Sequence, residues 1–275
     1  RGGSPGFQKL FPPGPENRRF FVDNPPNLWY SNSNSHAGGA WETAQVPAAR
    51  GARANRPFQF GECDMLNIRN ETKADYRAVE DLTRRAFYNL YVPGCHEHYL
   101  VHIMRDHPDF VPELDFVLEV DGEIIGSILY TRSSLTNEAG ERREALTFGP
   151  VCVAPERQRQ GYGKRLMDHS LARAAELGWG AVVIFGAPAN YVGRGFRCCK
   201  RHQVQTEDGS YPTAMLVREL TPHALDGGPW VYRDSPVMHF DEEAARRFDE
   251  GFPPMEKRVL PCQEEFYILS NSVLR

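Results

Sequence analysis

No stretch of this 275-residue chain supplies the ~20 consecutive apolar residues that a membrane-spanning helix requires. The longest charge-free stretch of apolar character, Leu177 to Gly193, is interrupted by Pro188 and several glycines. Cysteine is sparse and unpatterned. Cys63, Cys95, Cys152, Cys198, Cys199 and Cys262 form neither a disulfide framework nor a Cys-x-x-Cys pair, so they read as reduced thiols. Basic residues are not in excess: 32 Lys and Arg against 36 Asp and Glu leave a net charge of −4, which offers nothing to nucleic acid or to an anionic membrane. No secretory signal is visible in these residues, which start at Arg1 and not at a methionine, so that an original amino terminus is left open. These absences point to a cytoplasmic protein.

Sustained periodicity is missing from residues 1–64, where Pro, Gly, Asn, Ser and Ala dominate, as in Pro12-Pro13-Gly14-Pro15. Such composition cannot bury enough surface to offset the entropy of ordering, so a disordered tail is expected, with a partner-binding segment around Trp29, Tyr30 and Trp41, or a non-native leader before a natural start at Met65, as the alternatives. The rest, at 41% hydrophobic and 25% charged residues over the whole chain, suits one enzyme domain with additions.

The most informative segment is Val151 to Lys164, in which Gln158-x-x-Gly161-x-Gly163 stands between a β-rich run and an amphipathic helix. Two glycines permit a tight turn that exposes successive N–H groups, and the following helix presents the positive end of its dipole; together they form a diphosphate cradle. The commoner glycine-rich loops do not fit. A nucleoside-triphosphate loop requires Lys-Ser or Lys-Thr where Lys164-Arg165 stands, and a dinucleotide fingerprint requires a small residue in place of Leu166.

The flanks supply an ordered series of elements. Met65 to Arg69 alternates like a strand, Thr72-x-x-Asp75 looks like a capping box, and Tyr76, Val79, Leu82, Ala86, Phe87 and Leu90 mark a helical stripe. Phe116–Val120 and Glu123–Tyr130 read as strands joined by a type I′ turn at Asp121-Gly122, and another strand is expected from Ala145 to Val153. Gly149-Pro150 interrupts that strand and predicts a bulge or splay. A helix ending at Gly178, a strand from Ala181 to Phe185 and the segment Asn190 to Phe196 follow.

Strand, Val-x-Pro, Gln/Arg-x-x-Gly-x-Gly and helix, in that order, resemble the acetyl-CoA-binding motif of the GNAT superfamily of N-acetyltransferases, and the element order extends the resemblance over about residues 65–220. It implies an α/β fold with a mixed central sheet flanked by helices, and an appendage over residues 221–275 that packs on the domain. Within that appendage a short helix is expected from Asp241 to Phe248, and Gln263 to Ile268 reads as a docked aromatic strand or cover.

The resemblance also implies the chemistry. Acetyl-CoA would be the co-substrate, with the amine of a small molecule or peptide as acceptor. Val151, Cys152 and Val153 would meet the pantetheine and thioester. Gln158, Arg159, Gln160, Gly161, Tyr162, Gly163 and Lys164 would hold the pyrophosphate. Tyr191 would be the general acid for the departing thiolate, with Asn190 orienting it or touching the cofactor. Glu144 is the nearest candidate for a general base. Cys152 is read as a packing residue, so transfer is direct.

Cys95-His96-Glu97-His98, with His102 one turn on, lacks full zinc-ligand spacing, and no metal is expected. The resemblance places this segment beside the amine site, where its histidines, with Tyr99, Asp106 and Asp109, would recognise the acceptor. The alternatives are a non-catalytic acyl-CoA-binding module and an acyltransferase using a longer acyl chain; a homodimer is left open.

Overall fold

A computed structural model describes residues 65–275, and the expectations for residues 1–64 lie outside the described residues. β1 (Leu66–Asn70) runs antiparallel to β2 (Phe116–Val120), which turns into β3 (Glu123–Asn137). The turn has positive φ at both Asp121 (53°) and Gly122 (83°), the type I′ geometry expected of Asp-Gly. β4 (Arg142–Val153) pairs antiparallel with β3 over nearly its whole length. The expected cap is only half realised. Asp75 accepts the Thr72 N–H at 2.8 Å but is itself the N-cap of α1 (Tyr76–Phe87), and its carboxylate is also held by Arg69 at 2.7 Å.

α1 and α2 (Glu97–Met104) cover one face of the sheet, and α3 (Tyr162–Glu176) covers the other. The pleat of β3 shows why: successive residues point to opposite faces. Leu129 packs with Val79, Val101 and Met104, while the Tyr130 hydroxyl lies 2.8 Å from Ser170 on α3. α3 ends with Gly178 at φ 87°, the left-handed residue anticipated just past its C-terminus. β5 (Ala181–Phe185), α4 (Pro188–Tyr191) and the short β6 (Arg197–Cys198), β7 (Val204–Gln205) and β8 (Tyr211–Pro212) lead to β9 (Met215–Glu219), which pairs antiparallel with both β5 and β6.

The C-terminal segment is tied to the domain at several points. β10 (Trp230–Arg233) pairs with β3 beyond the end of β2. α5 (Glu242–Asp249) starts at Asp241, whose side chain accepts the Ala244 N–H at 2.8 Å, as the sequence anticipated to within a residue. Gln263 to Ile268 belongs to a helix, α6 (Pro261–Ser270), and not to a strand. Pro261 sits at the first helical position and the Gln263 side chain accepts the Leu260 N–H at 3.2 Å, so capping overrides the β preference of Phe266, Tyr267 and Ile268. The chain closes with β11 (Val273–Leu274) paired antiparallel to β8.

Candidate functional site

β4 and β5 share a single parallel pair, Leu146 with Val182, while β5 stays paired with β9 along all five of its residues. Beyond Leu146 β4 therefore leaves β5 and a wedge opens between them. The break coincides with Gly149-Pro150, whose peptide is cis. Tyr130 pairs with Phe148 and Ile128 with Val151, so β4 carries one residue more than β3 across this bulge.

The wall of the wedge offers main-chain donors. Ala154 donates to the Ile125 carbonyl on β3 at 2.7 Å, and alternate residues of an antiparallel strand turn their main chain to the same side. Ala154 and Cys152 thus face β3, whereas Val151 and Val153 turn theirs toward the wedge. The Val153 carbonyl confirms this direction by accepting the Gln158 side-chain amide at 3.1 Å. Gln158 consequently braces the cradle loop against β4.

The wedge leads to the start of α3. Gly161 is its N-cap at φ 87°, and Arg159 is also left-handed at φ 64°. The first helical bond runs from Arg165 N–H to the Gly161 carbonyl, leaving the N–H groups of Tyr162, Gly163 and Lys164 without a helical acceptor. An added Cβ at Gly161 would meet nothing within 4 Å, so the position requires glycine for its backbone angle and not for space. The loop acid, Glu156, is engaged by Arg85 at 3.0 Å. Arg159, Lys164 and Arg165 are exposed and form no ion pair among the described residues. Main-chain donors, a helix terminus and uncompensated cations converge here, which suits a diphosphate.

Tyr191 lies at the opposite end of the wedge. It is buried, with its ring 6.0 Å from Phe148 and 5.9 Å from Phe196. A Cβ on Gly186, which directly follows β5, would come within 2.5 Å of the Tyr191 ring. Gly186 thereby admits the ring at the end of β5. Asn190, half-buried, precedes it on α4, its N–H donating to the Ala187 carbonyl at 3.0 Å.

Other sequence candidates are placed differently. Glu144 is exposed and pairs with Ser134 on the closed side of Leu146, so the structure does not bring it to the wedge. Cys152 is buried with Ser127 and Thr83 against its sulfur at 3.3 and 3.7 Å, and burial raises its pKa; it is a packed thiol. His98 is buried with Nε2 3.0 Å from Asp249, and His102 bonds Glu80 at 2.9 Å. These two histidines therefore hold helices together. Asp109 accepts from Ser235 at 2.8 Å. Among the described residues no group of three or more His, Cys, Asp or Glu is placed to hold a metal ion, and no helix is long and apolar enough to cross a membrane.

Two residues of the same neighbourhood escaped the sequence reading as site members. Tyr91 and Glu97, from the turn between α1 and α2 and the start of α2, are both buried. Desolvation first, then the proximity of Tyr191 and Glu97, raises the Tyr91 phenol well above its ordinary pKa. A hundred residues of sequence separate Tyr91 from Tyr191, so no local pattern could join them.

Comparison with known proteins identifies the family and the fold. The model of the Acetyltransferase (GNAT) family matches residues 78–196. The chain is 30% identical over 161 residues to the uncharacterized N-acetyltransferase YhbS of Escherichia coli K12, covering 58% of this chain and 90% of that one. It is 26% identical over 147 residues to the uncharacterized N-acetyltransferase YjhQ of the same strain, covering 54% and 75%. Among solved structures, Escherichia coli YhbS in complex with CoA superposes with a TM-score of 0.58 at 24% identity, over 66% of this chain and 96% of that one. A Brucella melitensis acetyltransferase in complex with acetyl-CoA gives 0.52 at 21% identity, over 64% and 99%.

Proposed function

Because the chain belongs to the GNAT family of acetyltransferases, we propose that it is an enzyme that moves an acetyl group from acetyl-CoA directly to the amine of an acceptor. The observation that carries this reading is the wedge past Leu146, which joins main-chain donors and a helix terminus at one end to a buried tyrosine at the other.

The residues fit the donor. N–H groups of Val151 and Val153 face the wedge and suit the pantetheine amides and the thioester oxygen. Those of Tyr162, Gly163 and Lys164, with the charges of Arg159, Lys164 and Arg165, suit the pyrophosphate; Gln158, Gln160 and Gly161 shape that loop. Bound acetyl-CoA supplies an activated acyl group and a thiolate leaving group. Tyr191 supplies the proton for that thiolate, and Asn190 stands next to it to orient either partner. Burial of Cys152 among Ser127 and Thr83 argues against an acyl-cysteine step.

Two measurements test the reading. Acetyl-CoA and CoA, at about a hundred times their dissociation constants, should each add about 2.7 kcal/mol of stability, while a nucleotide control should not. Tyr191→Phe keeps the ring and its packing, so it should leave donor binding intact and lower kcat by about 10²- to 10⁴-fold. Unchanged turnover in the phenylalanine variant would remove Tyr191 from the acid role. Donor binding with no turnover on any amine would favour the acyl-CoA-binding module.

A further inference from the structure

Tyr191 follows Gly186 after one short turn of chain, and that turn carries its ring back over the glycine. Gly186 prolongs β5, its N–H donating to the Ala214 carbonyl at 2.8 Å in line with the β5–β9 pairing. Ala187 is the N-cap of α4, Pro188 takes the first helical position, and Tyr191 is the last residue of the turn. The Asn190 N–H closes the turn on the Ala187 carbonyl at 3.0 Å, and the Val192 N–H closes it on that of Pro188. Main-chain bonds thus hold the glycine and the tyrosine at both ends of the approach.

The glycine at 186 answers a different demand from the one at 161. Gly161 needs a left-handed backbone and has open space around it, whereas Gly186 is not among the residues of positive φ. Its backbone would accept alanine; the Tyr191 ring leaves alanine no room. A Cβ at Gly186 would stand 2.5 Å from Cε2, 3.2 Å from Cζ and 3.3 Å from Cδ2, and Cζ is the atom that bears the hydroxyl. Restoring ordinary contact, about 3.5 Å between carbons, would push the hydroxyl end of the ring by about 1 Å.

The ring has no open side into which to yield. Tyr191, Phe148 and Phe196 are each 0% exposed, and their centroids form a triangle with sides of 6.0, 5.9 and 5.9 Å. Phe148 packs in turn on Tyr130 at 5.2 Å, and the Tyr130 hydroxyl meets Ser170 on α3. Side chains packed this closely pass a displacement on instead of absorbing it.

Building on the assignment of Tyr191 as the acid, we propose that Gly186 is a positioning residue for acetyl transfer. By lacking a side chain it lets the Tyr191 ring seat against Phe148 and Phe196, and so fixes where the phenol stands relative to the departing sulfur. Gly186 acts through Tyr191 and not through contact with either substrate.

The test uses the full chain. Thiol release from acetyl-CoA is followed with the best acceptor from a panel of alkylamines, arylalkylamines, amino acids and lysine-containing peptides, and calorimetry gives the acetyl-CoA affinity. A shift of about 1 Å in a catalytic group costs about 10²-fold in rate, so Gly186→Ala should lower kcat by about that factor while the acceptor KM and the acetyl-CoA dissociation constant stay within about threefold. The deciding comparison is made in the Tyr191→Phe background, which keeps the ring and removes the hydroxyl. There Gly186→Ala should change kcat by less than about twofold. Phe196→Leu loosens the opposite wall and supplies a second cycle should the alanine variant not fold; its loss of kcat should vanish in the same background. Equal losses with and without the Tyr191 hydroxyl would overturn the proposal, because Gly186 would then serve the fold alone. An unchanged kcat in Gly186→Ala, or a loss of acetyl-CoA affinity large enough to explain the fall, would overturn it too, and in these cases the acid reading stands. Unchanged turnover in Tyr191→Phe alone refutes the acid reading and this proposal with it, as does donor binding without turnover on any amine of the panel.

Discussion

Replacing His98 with glutamine should flatten the acid side of the stability profile by about one proton. His98 is 0% exposed, its Nε2 lies 3.0 Å from Asp249 Oδ1, and its ring meets Phe252 edge-on at 4.9 Å. Burial is the main cause that drives its pKa down to about 3; Arg84 and His96 repel a second charge, and the attraction of Asp249 only partly opposes them. In the unfolded chain the same imidazole titrates near 6.5. Between those values the unfolded state binds one proton more than the folded state, so stability rises with pH across the window and is lost on acidification. One proton corresponds to about 1.4 kcal/mol per pH unit, or about 2.3 kcal/mol between pH 6.5, where the unfolded imidazole is half protonated, and pH 4.5. Urea midpoints at pH 7.0, 6.0, 5.0 and 4.5, at constant ionic strength, supply the slope. His202, whose pKa burial also lowers, contributes to both proteins and cancels in the difference. Glutamine keeps a donor for Asp249 but no proton equilibrium, so the two slopes should differ by about half a proton at pH 6.5 and by nearly one below about pH 5.5. Parallel slopes would refute the buried neutral imidazole.

Gly161→Ala should weaken acetyl-CoA by about 5- to 30-fold in calorimetry: the Cβ meets no atom, and the cost is the 1–2 kcal/mol (roughly) of holding a left-handed alanine in the binding shape. Asp115→Asn should gain stability relative to the unaltered chain as pH rises from 5 to 8. Burial and the neighbouring Glu71 raise the Asp115 pKa far above the carboxylate range, so its contribution is complete below about pH 4 and fades as pH climbs toward the folded value. Equal pH slopes by denaturant titration would remove the protonated carboxyl. Cys152→Ala should cost about 1 kcal/mol of stability and leave kcat within a fewfold, whereas abolished turnover in a folded variant would reinstate a cysteine nucleophile.

Local signals carried most of the fold into the sequence. Asp121-Gly122 encodes its turn by left-handed tolerance, Gly178 its helix end, and Gly149-Pro150 the point where β4 departs from its neighbour. The cradle was legible for the same reason: Gly161 has a requirement of its own backbone. Glu144 was misplaced as a base because position along a strand does not reveal where the adjacent strand has parted. α6 was read as a strand because Phe266, Tyr267 and Ile268 favour one, and the caps that overrule them depend on Leu260 and Gln263 meeting in space. Tyr91 gave no sign, since its environment is made by residues far along the chain.

Arg84 binds Asp249 across 165 positions, and Asn89 binds Gln263 across 174. Such contacts close late in folding, because long loops must be ordered before the contacts form. During synthesis the elements of the donor cradle are complete while the last stretch is still being made. A chain cut short before residue 261 would retain every main-chain donor of the wedge and lose α6 and β11, leaving the Asn89–Tyr91 turn and the β8 edge open to water.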